Sequence, residues 1–257
     1  MWCWRKVSRL SLWLWLALLL ALPASAKDTV IVCAEDLAYY PHYDFTPANQ
    51  GSYANDVLAL FAKSAGLTLH IKALPIKRLK ENNDCDLQYP DNPRWHQHEK
   101  ALGQRFYSKA LVAILGATLV KPAQQQLTLD KVHAISVIRG FVPDHLLAVQ
   151  GAYSFKLVET VNAEAALQMV LKGRVDAVDM EWNVARHLLT KRAQPQALVI
   201  AQQLPHSEVA FHLSSQTKPE LIQQFDLFLQ QQQRQIQALK QKYRLVESWQ
   251  QAVATQP

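Results

Sequence analysis

The chain has 257 residues, with 27 Lys and Arg against 21 Asp and Glu, a formal charge of +6 and 49% hydrophobic residues. That length supports a sizeable core in one or two domains. The positive excess is not gathered into a dense basic stripe, so the sequence gives no support for a nucleic-acid partner.

The chain opens on a leader. Arg5, Lys6 and Arg9 form a basic start, "LSLWLWLALLLAL" is an apolar stretch, and "PASA" offers a small-residue cleavage site after Ala26. This is the pattern of a secretory signal peptide, residues 1–26. The apolar stretch is short for a membrane span, which leaves an uncleaved anchor as the weaker reading. Removing the leader takes away three basic residues and no acids, so the mature chain keeps only a small positive excess. Cys33 and Cys85 remain. In an oxidising compartment they could pair, or they could be two buried thiols; sequence does not give the geometry that decides.

In chain order the elements repeat. "TVIVCA" from Thr29 reads as a strand, followed by an aromatic loop, "EDLAYYPHYDF". "NDVLALFAKSAG" is a helix with Leu58, Phe61 and Ala65 on one face, closed by Gly66 in a left-handed turn. "LTLHIKAL" alternates like a strand, "PIKRLKENN" starts a helix with Pro75 in its first turn, and "DCDLQY" is a third strand. An extended apolar link, "YSKALVAILGATLVKP", leads to a second set. There "HAISVI" is a strand, "VPDHLLAVQGA" a helix, "YSFKLVET" a strand and "NAEAALQMVLKG" a helix with Asn162 as N-cap. "RVDAVDM" is the closing strand. "HSEVAFHLS" returns as an extended segment. A long amphipathic helix from Thr217 follows, with Thr217 and Glu220 as a capping box and the Gln run as its solvated face.

Each half is thus β-α-β-α-β, which implies an α/β architecture of two lobes, each a parallel sheet flanked by helices. The expected division puts 27–113 and 213–257 in lobe 1 and 114–212 in lobe 2. Ligands of such sheets bind beyond the carboxyl ends of the strands. Asp179 and Glu181 lie at that end of "RVDAVDM". Asp176 lies at the other end, beside the turn, and reads as structural.

The order of these segments resembles the type II periplasmic solute-binding proteins, in particular the amino-acid-binding components of ABC importers. "KGRVDA" is similar to the helix, then Gly-x-hydrophobic-Asp-Ala, that marks both lobes of that family. "ENNDCDLQYP" is a looser match, "RFYSKALV" is similar to its crossover, and "QALKQKYRL" to its closing helix. The resemblance implies a periplasmic protein with two crossover strands. Its lobes would close by a hinge around a small-molecule solute, and a permease in the inner membrane would recognise the closed form. It implies a monomer, no cofactor and no metal. It also implies that Glu181, five positions after Asp176, pairs with the amino group of a ligand, and that Tyr39 or Tyr40 supplies the aromatic of the first loop. Phe141 and Val142 stand where amino-acid binders often place hydroxyls. The family's Thr-x-x-Arg before the crossover is replaced by "YPDNPRWHQHEK", which brings in Asp91 and Arg94 and leaves the carboxylate-binding arginine unassigned.

Other residues carry two readings each. Trp95 is a ligand wall or a packing residue. "YYPHY" is an aromatic shelf for a ring or cation or a loop packed on its lobe. Arg78 either turns inward to offer a fork to a carboxylate or sits in solvent with Lys77 and Lys80. His96 and His98 beside Glu99 have no zinc spacing and read as surface residues. Trp182 could pack over a cation held by Glu181, or bury in the lobe. The leading expectation is a non-catalytic binding protein for an amino acid, amine or related metabolite. The alternatives are a cyclohexadienyl dehydratase-like enzyme using Glu181, and a ligand sensor without transport.

Overall fold

The computed structural model describes residues 28–49, 51–81, 84–96 and 103–256, without the side chains of Lys80 and Glu81. The expected leader, 1–26, and His98 with Glu99 lie outside them.

The two halves share one topology. In the first, β1 (Thr29–Glu35) lies between β4 (Thr68–Leu74) and β5 (Leu87–Asp91), parallel to both. In the second, β8 (Ala134–Ile138) lies between β9 (Lys156–Thr160) and β10 (Ala177–Glu181), again parallel to both. The central strands read as near-continuous apolar runs because helices cover both faces. Helix α1 (Tyr53–Ala65) buries Tyr53, Val57, Leu58 and Phe61, starts on Ser52, whose side chain accepts from Asn55 N–H, and stops at Gly66 with φ 69°. Helix α4 (Ala163–Leu171) is capped in the same way by Asn162, which accepts from Ala165 N–H. Helices α2 (Ile76–Glu81) and α3 (Asp144–Gln150) follow the second strand of the first half and the first strand of the second half.

A pair of long antiparallel strands joins the halves. These are β7 (Val112–Val120) and β12 (His206–Ser215), in register from Phe211 opposite Val112 to His206 opposite Ala117. Each also pairs with a half, β12 with β5 and β7 with β10, so one sheet runs β4-β1-β5-β12-β7-β10-β8-β9. The expected lobe boundaries fall inside β7 and β12. Two short strands, β2 (Ala38–Tyr39) and β3 (Tyr43–Asp44), form a hairpin above β1, while β6 (Phe106–Tyr107) edges β12 and β11 (Val199–Ile200) edges β7.

The repeated Asp does the same work twice. Asp176 Oδ2 accepts from the N–H groups of His133 (2.7 Å) and Ala134 (3.0 Å), at the start of β8. Asp86 Oδ2 accepts from Ile31 N–H (2.8 Å), near the start of β1. Each carboxylate ties the turn before the third strand to the opening of the first. Cys33 and Cys85 are bonded, with Cα atoms 5.7 Å apart, and join the same two elements of the first half.

The C-terminal region departs from expectation. The long helix is two helices, α6 (Pro219–Gln231) and α7 (Gln233–Lys242), divided at Gln232. The capping box is not formed. Ser215 Oγ instead accepts from Thr217 and Lys218 N–H, and the helix begins one residue later at Pro219, which has no N–H to satisfy. Two further helices were not anticipated: α5 (Trp182–Lys191), directly after β10, and α8 (Trp249–Ala254).

Candidate functional site

A cavity of about 90 Å³ lies where the carboxyl ends of the two parallel sets face each other. The first half contributes Glu35 at the end of β1, Ile76 after β4, and Pro90 with Trp95 at and beyond β5. The second contributes the loop from Gly140 to His145 after β8, and Asp179 to Glu181 on β10. The crossover strands close the floor with Ile114, Ser207, Val209 and Phe211. The volume holds several waters, so the space suits a small molecule.

The walls are largely aromatic and apolar. Tyr39 packs edge-on against Phe141, ring centroids 5.3 Å apart, and this pair bridges the two halves. Trp95 and Phe211 meet at 5.9 Å. Tyr43 sits behind Tyr39 at 5.3 Å and donates its hydroxyl to Glu35. Burial, with the charge of Glu35 added, pushes the Tyr43 pKa well up, so the phenol keeps its proton.

The polar groups divide into two sets. Around Glu181 every oxygen is used. Oε2 accepts from Val184 N–H (2.9 Å), capping α5, and lies 2.9 Å from His42 Nε2; Oε1 accepts from Asn183 Nδ2 (2.7 Å). Its own N–H donates to Tyr39 Oη at 3.3 Å. Asn183 continues the network by bonding Val246 through both its amide atoms. Glu181 is 2% exposed and His42 fully buried. Two hydrogen bonds and a facing imidazole offset the cost of burying that carboxylate.

The second set alternates in charge: Arg94, Asp144, His145 and Asp179. Arg94 of the first half pairs with Asp144 of the second. His145 Nδ1 is 3.6 Å from Asp144 Oδ1, and Nε2 is 3.1 Å from Asp179 Oδ1. Burial alone would lower the His145 pKa, but Asp179 and Asp144 outweigh it and raise the value to about 9. Asp144 is held down at about 2, chiefly by its bond with His145 and, against burial, by the charge of Arg94. The 3.1 Å contact is out of hydrogen-bond alignment, so both ring nitrogens of His145 and Oδ1 of Asp179 are buried without an aligned partner.

Of the residues singled out in the sequence, Tyr39, Trp95, Phe141, Asp179 and Glu181 line the cavity. Five lie elsewhere. Tyr40 packs on His187 at 4.4 Å and on Tyr243. Arg78 is exposed on α2. Arg94 is 44% exposed and engaged by Asp144. Trp182 is buried in the core of the second half. Asp91, 1% exposed, gathers Arg105 (3.0 Å), Ser214 and His96 (2.6 Å). Burial alone would raise the Asp91 pKa; the bond and charge of His96, then Ser214 and Arg105, hold it below the usual range. Arg105 is committed to that cluster and to Gln88. Tyr43, the last residue of "YYPHY", lines the cavity too; sequence reasoning missed Glu35, Asp144, His145 and Phe211. Glu35 and His145 carried a usable signal, since both stand at or just beyond the carboxyl end of a strand. Among the described residues no group of His, Cys, Asp and Glu is arranged to hold a metal ion, and no helix is long and apolar enough to cross a membrane.

The chain matches no protein-family model and no curated protein. Among solved structures it is similar to an ancestral arginine-binding protein bound to arginine, with TM-score 0.68 and 17% identity over 84% of this chain and 98% of that one. It is similar to ArtJ of Geobacillus stearothermophilus, an arginine-, lysine-, histidine-binding protein, with TM-score 0.67 and 16% identity over 86% and 97%. AncCDT-1, an ancestral amino acid-binding protein and precursor of cyclohexadienyl dehydratase, gives TM-score 0.64 and 19% identity over 84% and 95%. Such identities speak for the fold alone, and the architecture shared with these proteins is that of the type II periplasmic binding proteins.

Proposed function

We propose that the mature chain is an exported solute-binding protein that traps a small polar solute, an amino acid, amine or related metabolite, between two lobes and releases it unchanged. The observation that carries this reading is the cavity itself. It is enclosed by the carboxyl ends of both parallel sets, with Tyr39 against Phe141 and His42 against Glu181 joining its two sides. Those contacts would break if the halves, 27–113 with 213–257 and 114–212, swung apart about β7 and β12. A hinge there fits the fold, because the paired strands β7 and β12 run between the sets. The partner that reads the closed form is an ABC permease in the inner membrane, and the binding protein works as a periplasmic monomer.

The dehydratase reading is weaker on the same geometry. It needs an acid free to move a proton, and Glu181 gives its oxygens to Val184 N–H, Asn183 and His42.

A thermal-shift screen of residues 27–257 against amino acids, amines, organic acids and sugars tests the proposal. A ligand that binds the folded form raises the melting temperature by mass action. The expected result is a saturable shift from one chemical class, one molecule bound per chain, and unchanged solute recovered afterwards. A screen silent in every class, or recovery of a converted product, would contradict it.

A further inference from the structure

The site departs from what an α-amino acid requires. A zwitterion needs a cation or a bed of N–H donors for its carboxylate as well as an acid for its ammonium. Among the described residues lining the cavity there are four carboxylates, Glu35, Asp144, Asp179 and Glu181, and no arginine or lysine; the one basic group, His145, is set between Asp144 at 3.6 Å and Asp179 at 3.1 Å, so protein acids already answer its charge. The nearby guanidinium groups are taken: Arg105 by Asp91, Gln88 and Ser214, and Arg94 by Asp144 and the Glu208 carbonyl. The loop that opens α3 gives no anion cradle either. Its His145 N–H donates to Asp144 Oδ1 at 2.8 Å, so a protein carboxylate occupies the place a ligand carboxylate would need.

Two further observations point to a cation. Asp179 faces the cavity with Oδ1 buried and without an aligned hydrogen bond. His145 beside it, 7% exposed and facing Asp144 as well, offsets one negative charge and leaves the acids of the lining in excess. The field in the cavity has the matching sign. The Tyr39 pKa is pushed well up by burial and then by the charge of Glu181, with smaller pushes from Asp179 and Glu35. Negative charge is disfavoured at that hydroxyl, so positive charge is favoured beside it.

We propose that the ligand is an organic amine with no carboxylate. Its ammonium sits on Asp179 near the Tyr39 hydroxyl, and its apolar or aromatic body lies against Trp95, Phe141 and Phe211. His145 acts as a positioning residue that faces Asp179 Oδ1 at 3.1 Å and fixes the carboxylate toward the cavity. Aromatic walls add cation–π attraction at such a site. The inference rests on the binding function proposed above and narrows it to one class.

Matched pairs that differ only by the carboxylate test it: isoamylamine against leucine, phenethylamine against phenylalanine, and cadaverine against lysine. Calorimetric titration of the wild-type mature chain should show at least one amine binding tenfold or more tighter than its amino acid. Asp179→Asn should weaken that amine by about tenfold or more, with the far-ultraviolet circular dichroism unchanged. The wild-type pairs decide the question even if the variant does not fold. An amino acid binding as tightly as its amine would overturn the inference while leaving the binding function standing. So would a neutral or acidic solute bound in place of any amine. Silence from these pairs and from the broad screen together would overturn both.

Discussion

Asp179 and Glu181 are two residues apart on β10, share a face of the strand and line the same cavity. Their surroundings are opposite. Glu181 meets the N-terminus of α5, the amide of Asn183 and His42 from the β2–β3 hairpin, and is fully satisfied. Asp179 meets one imidazole at 3.1 Å and otherwise faces the cavity. Strand spacing sets which way a side chain points. What it finds there depends on elements that arrive from elsewhere in the chain. One acid has become part of the frame that joins the two sides, and the other is left for a ligand.

The comparison breaks most readily at Glu181. Glu181→Ala removes the cap of α5 and strands His42 and the Asn183 amide in a buried site. Losing one partner of a buried pair costs about 3–5 kcal/mol, which urea denaturation should show as a midpoint shift with unchanged slope. A loss below about 1 kcal/mol would mean that Glu181 is no frame residue.

The other set can be read through pH. The folded pKa of His145, about 9, lies above the ordinary 6.5. Its contribution is therefore fully present below pH 6.5 and is lost as pH rises through about 9. Its size is about 3 kcal/mol at roughly 1.4 kcal/mol per unit. The groups facing it are Asp144 on its own helix, Asp179 on β10 and His206 on β12, whose pKa is lowered by burial and, despite Glu208, by the charge of His145. Melting temperature against pH should fall over that window in the wild type and flatten in His145→Gln. Asp179→Asn should move the fall to lower pH, because Asp179 is the chief cause of the raised value.

A smaller effect sharpens the frame side. Asn183→Ala removes the bonds to Glu181 and to both backbone groups of Val246. The expected cost is about 2 kcal/mol, with faster hydrogen exchange at Val246 N–H.

Much of the frame was legible in the sequence. The doubled β-α-β-α-β order, the Asn162 cap and the anchoring Asp176 follow from local rules of period, punctuation and turn chemistry. Gly66 does too, because a left-handed stop is a local need. What was hidden depends on distant partners. Nothing near Glu181 in sequence announces His42, and nothing near Asp91 announces Arg105. The missed capping box at Thr217 has the same cause, since Ser215 is held by its bond to the Asp86 carbonyl on the neighbouring segment of the first half. The break at Gln232 had no local signal, because the apolar stripe of α6 continues into α7 across it.

The most direct measurement sets the two acids side by side. Amine affinity and urea midpoint are determined for Asp179→Asn and Glu181→Gln, using whichever amine binds the wild type. The expected result is crossed: Asp179→Asn loses affinity by about tenfold, ~1.4 kcal/mol, and, with urea midpoints taken at about pH 10 where the His145 contribution is already lost, keeps its midpoint within about 1 kcal/mol, while Glu181→Gln loses its midpoint first. The reverse pattern would contradict it, with Asp179→Asn binding like the wild type and Glu181→Gln as stable as the wild type but unable to bind.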